Sequence, residues 1–182
     1  GIQWAREFMP VLAGIEADFE KVKPFEGLRI AVCVHMEAKT AYLALVLRAG
    51  GAEVRATGSN PLSTKDDICA ALDADEIEVY GRFGATEDEY REHLRRTLEF
   101  CPHIIIDDGG ELVAMLLGNH PEYAQNLIGG CEETTTGVHR LQILTANGKL
   151  PFPMLDVNHA DSKRLFDNRH GAGQSVWDGV MY

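Results

Sequence analysis

Between positions 2 and 21, apolar residues recur at three- and four-residue steps: Trp4, Phe8, Val11, Leu12, Ile15 and Phe19. That spacing predicts one amphipathic helix, which Pro24 ends. The period then changes. Positions 28–34 (Leu-Arg-Ile-Ala-Val-Cys-Val) form a short apolar run rich in β-branched residues, the pattern of a buried strand. A helix over 39–49 follows and stops at Gly50-Gly51. The alternation continues with a strand over 53–56, a helix to 72 capped by Ser63 or Thr64, and a strand over 76–80. Thr86 and Glu89 have the spacing of a capping box for a helix to 99. A strand over 103–107 runs into Gly109-Gly110, and a short helix covers 111–117. Strands over 127–131 and 152–157 flank a helix over 135–147. Helices over 161–168 and from 174 follow.

Repeated β–α units with buried strands predict a doubly wound, mostly parallel α/β sheet with helices on both faces, a Rossmann-like three-layer domain. Residues 1–182 read as one domain without internal repeats. In such sheets ligands bind beyond the carboxyl ends of the strands, so the residues just after each strand are the site candidates. After the first strand come His35, Glu37, Lys39 and Thr40. After the fourth come Asp107, Asp108, Gly109 and Gly110. After the fifth come Glu132, Glu133, Thr134, Thr135 and Thr136, and after the sixth Asn158, His159, Lys163, Asp167 and Asn168.

Each group alone has a plain structural reading: a hydrogen-bonded His, a glycine turn, a polar helix start, an i,i+4 salt bridge between Lys163 and Asp167. Together on one edge they suit proton transfer on a polyhydroxylated ligand. Carboxylates accept hydrogen bonds from paired sugar hydroxyls, a Lys beside an acid has a tunable proton affinity, and a His exchanges protons near neutral pH. From the residues alone the reading stops at an α/β protein with a polar, nucleoside- or sugar-like site.

Composition narrows the partners. Apolar residues make up 45% of the 182, enough for a core at this length. The formal net charge of -11 argues against nucleic acid or an anionic membrane as partner, since both need clustered Lys and Arg. Cys33, Cys69, Cys101 and Cys131 form no CxxC pair, which speaks against a zinc site or disulfide scaffold and for a reducing compartment. No metal is expected. No apolar run approaches membrane-spanning length, and the cytoplasm is the expected location.

Five strings then occur in order: His-Met-Glu-Ala-Lys-Thr-Ala at 35–41, Asn-Pro-Leu-Ser-Thr-Lys-Asp-Asp at 60–67, Asp-Asp-Gly-Gly-Glu-Leu at 107–112, Glu-Glu-Thr-Thr-Thr-Gly-Val-His at 132–139 and Phe-Asp-Asn at 166–168. They resemble the S-adenosylhomocysteine hydrolase family along almost the whole chain. The resemblance implies reversible cleavage of S-adenosylhomocysteine to adenosine and homocysteine, assisted by NAD, which oxidises the ribose 3′-hydroxyl and ends unchanged.

Carried over by position, the resemblance implies catalytic roles for His35, Asp108, Glu133, Lys163 and Asp167. Asp108 and Glu133 would contact the ribose. Lys163 and Asp167 would bind its hydroxyls and move the 3′-hydroxyl and C4′ protons, and His35 would shuttle a proton near the 5′ position. Glu37, Lys39 and Thr40 would lie around the base, with Asn158 in support. Thr134, Thr135, Thr136 and Asn168 would reach toward NAD.

Two departures stand out. Many family members have Thr and Glu where this chain has Glu37 and Lys39, and Ala172 replaces a Cys found in some members. A Lys can donate to the O6 of hypoxanthine but cannot accept from an adenine amino group, which opens S-inosylhomocysteine as an alternative substrate. The family holds NAD in a separate Rossmann domain after this region, and no GxGxxG occurs here. The expectation is a substrate-binding domain that is inactive by itself and belongs to a homo-oligomer in longer form. A non-catalytic adenosine- or S-adenosylhomocysteine-binding module and an oligomerising scaffold are the competing classes.

Overall fold

β1 (Arg29–Cys33) is buried on both faces because its side chains alternate between two cores. The computed structural model describes residues 1–182. In it, Ile30 and Val32 pack against Ala41, Ala44 and Leu47 of α3 (Ala38–Ala49) and against Ile68 and Leu72 of α4 (Asp66–Ala74). Ala31 and Cys33 face the other way. They meet Leu94 and Leu98 of α5 (Glu87–Leu98), Leu112 and Leu116 of α6 (Glu111–Gly118), and Leu141 of α7 (Thr135–Ala146).

The remaining strands are β2 (Glu53–Thr57), β3 (Glu78–Tyr80), β4 (Ile104–Asp107), β5 (Gly129–Glu132) and β6 (Met154–Asp156). All pair in parallel, in the order β3-β2-β1-β4-β5-β6. This is the doubly wound architecture expected from the β–α alternation, and the sheet is wholly parallel. The chain direction across the sheet reverses between β1 and β4, which creates a topological switch point there.

Several elements differ from the sequence reading. The first helix is two, α1 (Ile2–Phe8) and α2 (Pro10–Val22), because Pro10 has no N–H to continue the ladder and starts α2 at its first position. The apolar stripe there is only partly used. Leu12 and Phe19 pack toward Tyr42, while Trp4 and Phe8 stack on each other at 5.1 Å in solvent.

Neither Ser63 nor Thr64 caps α4. Both hydroxyls donate back to the Asn60 carbonyl, and the helix starts at Asp66. The capping box at Thr86 and Glu89 forms as expected. β5 lies two residues later at its start than the 127–131 pattern suggested, and β6 is shorter than 152–157. Beyond β6 a π-helical segment (Ser162–Ala172) runs into α8 (Gly173–Met181), and neither contains a buried residue. No helix is long and apolar enough to cross a membrane.

Candidate functional site

Four strands end in one row. Cys33, Asp107, Glu132 and Asp156 are successive Cα partners across β1, β4, β5 and β6. With strands about 4.8 Å apart, the row spans roughly 14 Å, the scale of a nucleoside. The residues that follow these ends therefore share one rim, and the rim begins at the switch point between β1 and β4.

At the switch point, His35 and Asp108 face each other. His35 Nε2 lies 3.5 Å from Asp108 Oδ2, and Asp108 is buried while the imidazole is about half exposed. Both side chains are anchored. Ser63 Oγ sits 2.5 Å from His35 Nδ1, and Ser59 Oγ donates to Asp108 Oδ2 at 2.8 Å. Tyr90 on α5 donates its hydroxyl to the Ser59 carbonyl at 2.9 Å, tying this loop to the second helical layer. The His35 ring thus has a fixed plane and one nitrogen turned to the rim.

Two strands further on, Lys163 and Glu133 form the second cluster. Lys163 Nζ lies 2.9 Å from Glu133 Oε1 and donates to the Glu133 carbonyl and to Asn158 Oδ1, both at 2.7 Å. Three acceptors match the three N–H bonds of an ammonium. Asn158 is itself buried and accepts a long bond from Thr135 Oγ1 at 3.4 Å. The plain i,i+4 salt bridge between Lys163 and Asp167 is not formed. Asp167 lies exposed on the π-helical segment, while the Lys163 stem reaches over the sheet edge to acceptors that β5 and the loop after β6 hold in place.

The two clusters are joined underneath by a second layer of acids. Glu132 is fully buried and its carboxylate accepts from Gly109 N, Gly110 N, Thr134 N and Thr134 Oγ1. Asp107 is equally buried and accepts from Asp108 N and Val113 N. Burial, with the Glu132 charge adding to it, pushes the Asp107 carboxyl up to about 7. Burial also raises the Cys131 thiol to about 11, so this cysteine is no thiolate at neutral pH.

Among the remaining candidates, Glu37 caps α3: its Oε1 accepts from Lys39 N, and Lys39 Nζ lies 4.0 Å from the same oxygen. Thr40 is buried in the first turn of α3. Thr134 caps α7 by accepting from Gly137 N at 2.8 Å, while Thr135 and Thr136 lie exposed in the first turn of α7. Asn168 is exposed beside Asp167 on the π-helical segment. The structure therefore gathers His35, Asp108, Glu133, Asn158 and Lys163 and leaves Asp167 and Asn168 outside. It adds Ser59 and Tyr90, which carried no signal in the sequence, and Ser63, expected there only as a helix cap, and it gives Asp107 and Glu132, candidates by position only, a place beneath the rim. The doubled acids at 107–108 and 132–133 were the available signal, because alternation along a strand turns one member of each pair inward.

A dinucleotide does not fit the usual place on this sheet. The first β–α turn contains no glycine, Met36 fills it with no exposed surface, and the Glu37 carboxylate occupies the α3 N-terminus where a pyrophosphate would sit.

The chain matches the family described as S-adenosyl-L-homocysteine hydrolase over residues 1–120 and 116–172. It is 49% identical over 180 residues to the S-inosyl-L-homocysteine hydrolase of Methanothermobacter thermautotrophicus and 49% identical over 181 residues to the adenosylhomocysteinase of Thermoplasma acidophilum. Identity to the S-inosyl-L-homocysteine hydrolase of Methanosarcina mazei is 50% over 180 residues. Each alignment covers 98–99% of this chain but only 43–44% of the relative, so the chain spans less than half the length of the curated proteins it matches. Among solved structures, CurA from Vibrio vulnificus in complex with NADPH superposes with a TM-score of 0.50 at 16% identity. The match covers 92% of this chain and 51% of that one, a likeness of fold alone.

Proposed function

The chain belongs to the S-adenosyl-L-homocysteine hydrolase family, and from that premise we propose that its rim is the nucleoside-binding half of an enzyme that reversibly cleaves S-adenosylhomocysteine to adenosine and homocysteine. The observation that carries this reading is the single row of strand ends that holds a His–Asp pair after β1 and β4 and a Lys–Glu–Asn cluster after β5 and β6. NAD, bound mainly by polypeptide other than this domain, would supply reversible oxidation of the ribose 3′-hydroxyl. The 182 residues by themselves would be without turnover, because their own first β–α turn is closed to a dinucleotide.

The chain's own groups have separable tasks. Asp108 and Glu133 each present carboxylate oxygens to the rim, the chemistry that orients paired ribose hydroxyls. Lys163 can bind a ribose hydroxyl by exchanging one of its three present partners, and Glu133 alongside it is the acceptor that steadies the ammonium. Lys163 and Asp167 would hold and move the protons of the 3′-hydroxyl and C4′, with the π-helical segment bringing Asp167 against the bound sugar and Asn168 toward the nicotinamide. His35 lies across the rim from Lys163, placed to donate to or accept from the departing and entering groups at C5′. Thr134, Thr135 and Thr136 would face the cofactor from the start of α7. In the same reading the enzyme acts in the cytoplasm as a homo-oligomer. Its partner is a small nucleoside rather than a nucleic acid, which a net charge of -11 repels.

A second reading concerns the base. Lys39 is exposed beside the region of Glu37 and Thr40, and two of the relatives above are named S-inosyl-L-homocysteine hydrolase. An ammonium there favours hypoxanthine O6, whereas Glu37 as the contacting group favours the adenine amino group. The deciding experiment is turnover of S-adenosylhomocysteine against S-inosylhomocysteine by the NAD-loaded enzyme, with adenosine and inosine binding followed by calorimetry. Turnover of neither sinks the hydrolase reading. Nucleoside binding without turnover in the NAD-loaded enzyme would make the protein a binding module.

A further inference from the structure

Two tandem acid pairs, Asp107-Asp108 and Glu132-Glu133, stand at the ends of neighbouring strands, and the proposed chemistry uses only the second member of each. The first members are Cα partners in the sheet, and neither has exposed surface. Glu132 collects donors from both turns at once. Oε1 accepts from Gly109 N at 2.8 Å, Thr134 N at 2.8 Å and Thr134 Oγ1 at 3.0 Å, and Oε2 accepts from Gly110 N at 3.0 Å. Four donors fill the roughly four lone-pair positions of a carboxylate.

Local geometry is built around that carboxylate. Gly109 and Gly110 have φ of 104° and 75°, a left-handed pair that turns successive N–H groups to one side. Gly137 packs directly on Glu132, and a Cβ there would fall inside the carboxylate. No cation neutralises the group. Arg140 donates instead to the Gly109 carbonyl and to Glu111, and the other titratable groups packed around the acid layer, Cys33 from β1, Tyr90 from α5 and Glu111 from α6, bring no positive charge. An uncompensated buried carboxylate is expensive, and an amide would keep one accepting oxygen while turning its NH2 toward the donor on the other side. Only a carboxylate accepts all four donors, two from each turn, at once.

We propose that Glu132 is a positioning residue that locks the Asp108 and Glu133 carboxylates in one fixed relation across the rim, with Asp107 holding the near end of the same turn. The kinetic consequence rests on the hydrolase reading; the structural one does not.

The test is Glu132→Gln, read in two ways. In this chain the amide accepts on one side only, so amide hydrogen exchange by NMR should speed up at least tenfold at Gly110 or, with the amide flipped, at Gly109 and Thr134, while cooperative unfolding persists. In the NAD-loaded enzyme, kcat for S-adenosylhomocysteine should fall at least 30-fold with KM within threefold, because alignment rather than ground-state binding is lost. Where Glu132→Gln does not fold, Glu132→Asp carries the same test: its shorter arm reaches one turn, so one turn loses protection and kcat falls at least tenfold. A kcat within threefold of wild type despite lost protection makes Glu132 a structural tie only, and unchanged protection at Gly109, Gly110 and Thr134 alike overturns the bridge itself. A wild-type enzyme without turnover removes the hydrolase reading and leaves the exchange result to decide the bridge.

Discussion

The rim of the sheet and the helical segment beyond Asp161 carry candidate residues of the same chemical kinds, yet they are held in opposite ways. At the rim, Asp108 is buried, His35 and Asp108 are each hydrogen-bonded to a serine, and Lys163 has three acceptors. On the π-helical segment, Asp167 and Asn168 stand exposed, in a stretch with no buried residue. Lys163 belongs to that segment by sequence and to the rim by contact. The contrast teaches that strand ends pre-organise their side chains through the sheet beneath them, whereas a helix without a buried face leaves its polar groups free to be placed by whatever packs against it.

The sharpest way to break this contrast is to compare Lys163→Met with Asp167→Asn. Lys163→Met should lower turnover of the NAD-loaded enzyme by about 10²–10⁴-fold, the range of a lost proton-transfer group. It should also lower unfolding stability by about 1–3 kcal/mol in denaturant titration, since it orphans buried Asn158 and its neighbours. Asp167→Asn should leave stability within about 0.5 kcal/mol. Equal stability losses would mean that the two regions are equally organised.

A second measurement uses the buried acid layer. The Asp107 carboxyl titrates near 7 in the fold, above its ordinary value near 3.8. A raised carboxyl favours the protonated folded state, so its stabilising contribution is complete below the ordinary value and is lost as pH rises through about 7. The stability of wild type relative to Asp107→Asn should therefore fall between about pH 4 and 8 by an amount on the order of a few kcal/mol, since each tenfold change in proton affinity on folding corresponds to ~1.4 kcal/mol. A pH-independent difference would remove the strained acid from under the rim.

Glycines sharpen the comparison further. Gly137→Ala intrudes on Glu132 and should destabilise by about 1–3 kcal/mol through overpacking. Gly179→Ala in α8 meets nothing within 4 Å and should raise helicity, stabilising by up to about 1 kcal/mol. Differential scanning calorimetry of the two variants distinguishes a rim that resists change from a helix that accepts it. The smallest effect is expected at Ser63. Ser63→Ala removes one hydrogen bond to His35, worth about 1 kcal/mol, and should lower kcat of the NAD-loaded enzyme up to about tenfold without loss of fold. An unchanged kcat would mean that the serine does not hold the imidazole.

Much of the frame was legible in the order of residues. Buried strands at 29–33 and 104–107, the Thr86–Glu89 capping box and the Gly109-Gly110 turn all depend on near neighbours, and all appear. The long first helix failed at Pro10 because a favourable apolar period does not supply the missing N–H. The Ser63 and Thr64 caps failed because their hydroxyls found the Asn60 carbonyl first. The plain i,i+4 salt bridge between Lys163 and Asp167 does not form, because that spacing permits a contact but does not choose it over three acceptors brought in from elsewhere.

By itself the sequence determined a parallel α/β sheet and the set of polar residues that leave its strands, because periodicity, turn glycines and chain alternation act over a few residues. Tertiary structure alone decided that strands β1, β4, β5 and β6 end in one row, that Lys163 joins Glu133 across 30 residues, and that Glu132 grips two turns from below. Those relations are fixed by strand order and register, which place residues distant along the chain within hydrogen-bonding reach, and no local pattern encodes the neighbour that a side chain will find.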